Sequence, residues 1–152
     1  MDIKIVERPA TTVVGLNIET QPMSPEIKAL WPKFVARIPE VEGQSEPRVA
    51  YGVMRHPERE VESLEYMAGV AVRNPDRVPK GMTSHTLPAG SYAVFRYPLS
   101  ALGKGFAEIF NHLLPESDYV QGAGPLFERY DEAFNPADAN SLVEIGIPVR
   151  RK

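Results

Sequence analysis

The sequence predicts an α+β domain in which an antiparallel sheet carries two helices, built as a duplicated βαββ unit with pseudo-twofold symmetry. Segments in which apolar and polar residues alternate surround two segments with helical spacing, and the segment order is the same in both halves of the chain. With 152 residues, the chain has the length of one domain. We therefore predict a single domain over residues 1–152, with repeat halves at about 1–73 and 80–152.

Four strands are predicted in each half, because runs of alternating residues end at proline and glycine. They cover residues 3–8, 12–19, 48–55 and 63–73 in the first half and 82–87, 91–97, 126–133 and 142–150 in the second.

The first helix is predicted to begin near Ser24, where the serine hydroxyl can cap free backbone N–H groups and Pro25 suits the first helical position. It continues toward Arg37, although Pro32 within it predicts a kink or a shorter helix. One helical face is apolar, and its members are Ile27, Leu30, Trp31, Phe34 and Ile38.

The second helix is predicted from about Ser100 to Leu114, and Pro115 ends it. It has nearly the same apolar spacing as the first, with Leu102, Phe106, Ile109, Phe110 and Leu113 on one face.

Duplication is supported by sliding the sequence over itself by 79 residues. This shift gives eight identities over 73 pairs, against roughly four or five from composition alone. It places Tyr51 on Tyr130 and keeps the apolar faces of both helices in register. We therefore predict two halves around a pseudo-twofold axis, a helix over one face of each half-sheet and a central ligand cleft between the halves.

Composition excludes several classes of function. The chain contains no cysteine, which removes disulfides, thiolate metal sites and cysteine nucleophiles. Its net charge of −3 argues against a nucleic-acid surface, and we interpret the basic residues 150–152 as a solvated terminus. The N-terminal residues lack the continuous apolar run of a signal peptide or membrane helix. We predict a cytoplasmic protein with no direct nucleic-acid binding and no membrane association.

Catalytic and cofactor sites have little support in the sequence. His56, His85 and His112 fall on a loop, a strand edge and a helix, without the clustering of metal ligands or a catalytic triad. A carboxylate such as Glu128 would gain a raised pKa if it were buried, as in some catalytic acids. We predict no metal and no cofactor, and a binding role in preference to a catalytic one.

Strand periodicity selects the candidate ligand-binding residues. In the strand at 126–133, Glu128 and Tyr130 share a face, and the 79-residue shift places Tyr51 on the corresponding face of the first half. A carboxylate beside aromatic rings suits an apolar cation, because the rings attract the charge and the acid neutralises it. The further candidates are Glu65, Met67, Phe110, Phe106 and Trp31.

Each candidate also has an ordinary structural interpretation. Glu128 and Glu65 could be solvated, and Tyr51 and Tyr130 could be half-buried strand residues with hydroxyls in water. The helix aromatics could belong to the core, and Met67 could fill a gap there. Both interpretations stay open from the residues alone.

Short motifs follow one another in a characteristic order and spacing along the whole chain. They are YGV (51–53) and YMAGV (66–70) in the first half, and LPAGSYAVF (87–95), LPESDY (114–119), GPLFERY (124–130) and EIGIPV (144–149) in the second. Together they resemble the GyrI-like small-molecule-binding domains.

This resemblance implies a duplicated βαββ fold with a central cleft, which also serves as the effector-binding part of multidrug-sensing and AraC-type transcription regulators. It implies that Glu128 faces organic cations among aromatic side chains, and that Tyr51 and Tyr130 lie in the motif strands. Phe110 and the two residues after it replace a tryptophan that many relatives carry, which leaves the pocket shape open on that side. The chain has no room for a helix-turn-helix domain, so a stand-alone binder is implied.

We therefore predict a stand-alone binding protein for small apolar, often cationic, compounds of the multidrug type. Two alternatives stay open, because some relatives are described as hydrolases of small molecules and others as gyrase-inhibitory proteins. A hydrolase would use an acid such as Glu128 or Glu65 to activate water. An inhibitor would bind an unknown protein partner through an exposed apolar patch.

Overall fold

The computed structural model describes residues 3–22, 24–55 and 63–152. His56 lies outside these residues. Within them the chain forms nine strands and two α-helices: β1 (Lys4–Arg8), β2 (Thr11–Thr20), α1 (Pro25–Val35), β3 (Ala50–Arg55), β4 (Leu64–Val72), β5 (Thr83–Leu87), β6 (Gly90–Pro98), α2 (Leu102–Glu108), β7 (Tyr119–Gln121), β8 (Leu126–Tyr130) and β9 (Leu142–Arg151). The predicted α+β class, with an antiparallel sheet and two helices, is confirmed.

All eight predicted strands are present, and β7 is additional. It has three residues, too few for alternation to be recognised in the sequence, and it pairs with the C-terminal end of β9. The strand predicted at 126–133 is shorter than expected and ends at Tyr130.

Helix α1 begins as its sequence predicts, because the Ser24 hydroxyl accepts a hydrogen bond from the Glu26 backbone N–H at 3.2 Å. It ends at Val35, two residues before the predicted Arg37, and contains Pro32. The second helix is less regular than its spacing predicted. A 3₁₀ turn at Leu99–Ala101 precedes α2, and a π-helical turn at Ile109–Leu113 follows it.

The strands form one antiparallel sheet in the order β1-β6-β9-β8-β3-β4-β2-β5, with β7 beside β9. This order is symmetric, because the first strand of each half lies next to the second strand of the other half, and β3 pairs with β8 at the centre. A duplicated βαββ unit would produce this order, and the duplication itself stays a prediction.

The sheet is strongly curled. Strands β6, β9 and β8 separate β1 from β3, so a flat sheet would hold β1 and β3 about 19 Å apart. The Arg8 guanidinium at the end of β1 nevertheless donates a hydrogen bond to the Tyr51 hydroxyl of β3 at 2.8 Å. The edge of the sheet has therefore folded over its centre.

Curling divides the core into two sides, which we call the helix face and the inner face of the sheet. On the helix face, α1 packs through Leu30 and Phe34 against one half, and the second helix packs through Ile109 against the other. Met54 of β3 contacts both the core residues under α1 and those under the second helix. The helices thus flank the central strand pair.

The inner face closes on itself. Its largest side chains are Tyr51, Tyr92, Met67 and Phe127, all at most 1% exposed. Tyr92 and Phe127 meet with ring centroids 5.5 Å apart. Tyr51 and Met67, two of the predicted ligand-binding residues, are therefore packed core in the described residues.

Gly146 of β9 lets Phe127 lie flat on the inner face, because a Cβ at this glycine would stand 2.1 Å from the ring. We expect Gly146→Ala to lower the free energy of unfolding by about 1–3 kcal/mol through overpacking. Phe127→Leu in the same chain should recover part of this loss, because the shorter side chain leaves room for the methyl group. Urea unfolding of both single variants and the double variant measures this coupling, and strictly additive losses would contradict it.

Candidate functional site

Glu128 lies in β8, one of the two central strands, and points to the helix face together with its neighbours Leu126 and Tyr130. In the register of the sheet Glu128 stands opposite Gly52 of β3. A Cβ at Gly52 would lie 2.2 Å from the Tyr66 hydroxyl oxygen and 2.7 Å from Oε1 of Glu128. The glycine therefore makes room for these two side chains to meet above β3.

Two hydroxyl groups bind this carboxylate, and an indole N–H binds one of those hydroxyls. The hydroxyls of Tyr66 and Tyr130 each donate a hydrogen bond to Oε1 of Glu128 at 2.7 Å. Trp31 of α1 donates its indole N–H to the Tyr66 hydroxyl at 3.0 Å. We call these four residues the Glu128 cluster.

Aromatic rings enclose the cluster on the side of α1. The Trp31 ring stands edge-on to Tyr130 with centroids 5.2 Å apart, and to Tyr66 at 6.4 Å. Phe134 packs edge-on against Tyr130 at 4.8 Å. The carboxylate is therefore surrounded by ring surface and hydroxyl groups.

The Glu128 carboxylate is buried without a positively charged partner among the described residues, which is unusual for an acidic side chain. Glu128 is 6% exposed, and in the described ranges no Arg, Lys or His nitrogen lies within 4.0 Å of its oxygens. Burial raises the pKa of Glu128 above its ordinary value, and hydrogen bonds from Tyr130 and Tyr66 oppose that rise. Burial and the adjacent carboxylate also raise the pKa of both tyrosines well above the usual value, so both stay protonated donors at neutral pH.

The arrangement favours binding of a positive group. A buried carboxylate is costly unless it is paired or well hydrogen-bonded. Its two hydroxyl donors satisfy hydrogen bonding without neutralising the charge, which leaves a negative site between rings whose faces attract cations. Across the described part of the chain no three His, Cys, Asp or Glu residues are grouped as metal ligands.

Three predicted site residues come together in this cluster: Glu128, Tyr130 and Trp31. Three others lie on the inner face. Tyr51 and Met67 are fully buried in its core, and Glu65 is half-buried, 3.8 Å from Arg55.

The predicted pairing of Tyr51 with Tyr130 is wrong, because the two rings lie on opposite faces of the sheet. Tyr51 stands opposite Arg129 in the register, whereas Gly52 stands opposite Glu128. In both central strands the positions that face the helices are even-numbered, such as Gly52 and Glu128. Equivalent residues of the two strands are therefore separated by an even number of positions, whereas the shift of 79 is odd. A gap-free shift of 79 residues cannot absorb a connection of different length, and an odd slip exchanges the two faces of a strand.

Phe106 and Phe110 of the second helix do not join the Glu128 cluster. Phe106 packs against the core under that helix, and Phe110 is 37% exposed. Of the histidines, His85 hydrogen-bonds with Arg55 and Asn17 on the inner face.

Sequence reasoning missed Tyr66, Gly52 and Phe134. Tyr66 alternates with the apolar residues Leu64 and Ala68 of β4, a pattern that predicts a core position on the side of the helix, and its ring does pack there. Its hydroxyl was the available signal, because a buried tyrosine on such a row needs a hydrogen-bond partner.

A surface groove of about 280 Å³ lies away from this cluster and is lined by Glu40, Glu42, Arg77, Val78, Pro79 and Lys80. Its mainly charged lining does not suit an apolar ligand. Among the described residues, none of the helices has the length and apolarity to span a membrane.

Known proteins resemble the chain over nearly its whole length. The transcriptional regulator BrlR of Pseudomonas aeruginosa is 38% identical over 153 residues, which cover 98% of this chain and 56% of BrlR. The chain thus spans little more than half the length of this curated relative.

Solved structures share the fold at low sequence identity. SAV2435 bound to tetraphenylphosphonium matches with a TM-score of 0.79 and 17% identity, covering 99% of this chain and 94% of that one. An integron cassette protein from the mobile metagenome of Vibrio cholerae matches with a TM-score of 0.70 and 20% identity, covering 97% and 95%. The family model described as the GyrI-like small molecule binding domain matches residues 1–150, and the chain therefore belongs to this family of small-molecule-binding domains.

Proposed function

We propose that the chain binds small apolar organic cations of the multidrug type at the Glu128 cluster. The observation that carries this proposal is the buried Glu128 carboxylate, which has two hydroxyl donors and no cationic partner among the described residues. An apolar cation would supply the missing positive charge and bring its own apolar surface to the rings.

Binding of a cation would lower the energy of the buried carboxylate. In the free state the carboxylate bears a desolvation cost, which its raised pKa reflects. The Trp31 and Tyr130 rings are in edge-on contact, with centroids 5.2 Å apart, so they would have to separate to admit a ligand. A cation held against these rings would gain both the charge interaction and the attraction of the rings, worth up to about 2 kcal/mol per desolvated contact. A neutral ligand of the same shape would gain only apolar contact.

The comparisons support this class of ligand. SAV2435, which has the same fold, is bound to tetraphenylphosphonium in its solved structure. Tetraphenylphosphonium is therefore a suitable probe, because its charge is permanent and it donates no hydrogen bond.

The net charge of −3 fits this ligand class better than it fits nucleic acid, whose phosphates need a basic surface. We propose a cytoplasmic single domain that takes up the cation and does not itself bind nucleic acid.

Glu128→Gln removes the charge and keeps the size of the side chain. We expect the Kd for tetraphenylphosphonium to rise at least about tenfold, which corresponds to about 1.4 kcal/mol. Isothermal titration measures the Kd, and quenching of Trp31, the single tryptophan of the chain, reports whether the ligand reaches the cluster.

Two controls separate this local charge from general effects. Glu65→Gln makes the same change on the inner face, where Glu65 faces Arg55, and should leave the Kd within about twofold. Neutral triphenylphosphine oxide should bind wild type and Glu128→Gln alike. If Glu128→Gln lost affinity for both ligands equally, or lost no affinity for the cation, the proposed role of the carboxylate would be disproved.

Affinity for the permanent cation should depend on pH. The pKa of Glu128 is raised above its ordinary value of 4.5, so the carboxylate protonates at a higher pH than an exposed glutamate. Below that pKa the site is neutral, and affinity should fall by up to about tenfold per pH unit. Titrations from neutral to acidic pH test this, and the Glu128→Gln profile should be flat. A wild-type profile that is equally flat would contradict the proposed titration.

A further inference from the structure

The inner face carries a second group of charged residues, centred on Tyr51. The Tyr51 hydroxyl accepts a hydrogen bond from Arg8 at 2.8 Å and donates one to Oε2 of Glu46 at 2.6 Å. Arg129 donates from Nε and Nη2 to Oε1 of the same glutamate at 3.3 and 3.0 Å. We call Arg8, Arg129, Glu46 and Tyr51 the arginine cluster.

This cluster has one more positive charge than negative charge. The cluster contains two guanidinium groups but one carboxylate, that of Glu46, and only Arg129 contacts it directly. Across the described residues Arg8 has no Asp or Glu oxygen within 4.0 Å. Glu144 stands opposite Arg129 in the strand register, but it pairs with Arg96 at 3.4 Å, so that pair adds no net charge.

The two guanidinium groups are held in place and partly removed from water. Arg8 lies over the Phe127 ring, with its guanidinium carbon 4.6 Å from the centroid, and over the Tyr51 ring at 5.7 Å. Side-chain exposure is 25% for Arg129 and 28% for Glu46, so solvent reaches the cluster. Of the five N–H donors of each guanidinium, Arg8 uses one and Arg129 two within the cluster.

We propose that the arginine cluster is a binding site for an oxyanion, a carboxylate or a phosphate, on the face of the sheet opposite Glu128. Fixed guanidinium groups with free N–H donors match the oxygens of these anions in a bidentate geometry. Glu46 occupies part of this site as an internal anion, and the excess charge on Arg8 attracts a second one. The domain then holds a cation and an anion on opposite faces of the same strand, β8.

The net charge of −3 makes the test specific, because an acidic protein repels anions where no site holds them. Inorganic phosphate and acetate are titrated separately at constant ionic strength, while NMR follows the Nε–Hε signals of Arg8 and Arg129. We expect both signals to move and saturate in the millimolar range with at least one anion, and the stronger response identifies phosphate or carboxylate as the preferred class. Shifts that never saturate with either anion would overturn the proposal.

Two substitutions should change anion affinity in opposite directions. Arg8→Met keeps the stem over Phe127 but removes the charge, and should weaken binding at least about fivefold. Glu46→Gln removes the internal anion and frees the Arg129 donors, and should tighten binding at least about threefold. A merely structural network would lose stability in both variants and gain affinity in neither.

Two control substitutions raise the net charge by one, as Glu46→Gln does. Glu108→Gln makes this change on the exposed surface of α2, and Glu128→Gln makes it on the helix face. Both should leave anion affinity within about twofold, so failure of the anion site and failure of the cation site are distinguishable. If folded Glu46→Gln protein binds no more tightly than wild type, the proposal is wrong. If that variant does not fold, the comparison of wild type with Arg8→Met decides.

Discussion

The antiparallel pairing of β3 with β8 is the interaction on which the rest of the structure depends. It joins the two halves of the sheet at its centre, where Gly52 stands opposite Glu128 and Tyr51 opposite Arg129. Successive side chains of a strand point to opposite faces. This single register therefore directs the acidic side chain of β8 toward the helices and its basic neighbour toward the inner core.

Curling of the sheet gives the two faces different environments. On the inner face the strands close over aromatic side chains, and Gly146 admits the Phe127 ring. On the helix face, α1 and the second helix pack on separate halves and leave the central strands between them, with Trp31 reaching over from α1. The buried carboxylate is thus satisfied by hydroxyls from two strands, and its charge is left without a protein cation in the described ranges.

Local pattern predicted the strands and helices well, since alternation and helical spacing depend only on neighbouring residues. It also selected Glu128, Tyr130 and Trp31. It failed for Tyr51 because faces were transferred between halves by a uniform shift, and a slip of one residue reverses a strand. It failed for Tyr66 because a tyrosine in an apolar row of a strand follows the same alternation as an ordinary core residue. Motif resemblance identified the family, which periodicity alone could not.

The sequence by itself determined the α+β class, the two helices, the strand segments and the presence of an acid beside aromatic residues in β8. Tertiary structure decided which residues share a face across the central pair and which groups meet over long sequence separations. Trp31, Tyr66 and Glu128 come from three separate elements, and Arg8 reaches Tyr51 only because the sheet curls. The physical reason is that side-chain alternation is fixed within a strand, whereas register and curvature arise from the packing of the whole sheet.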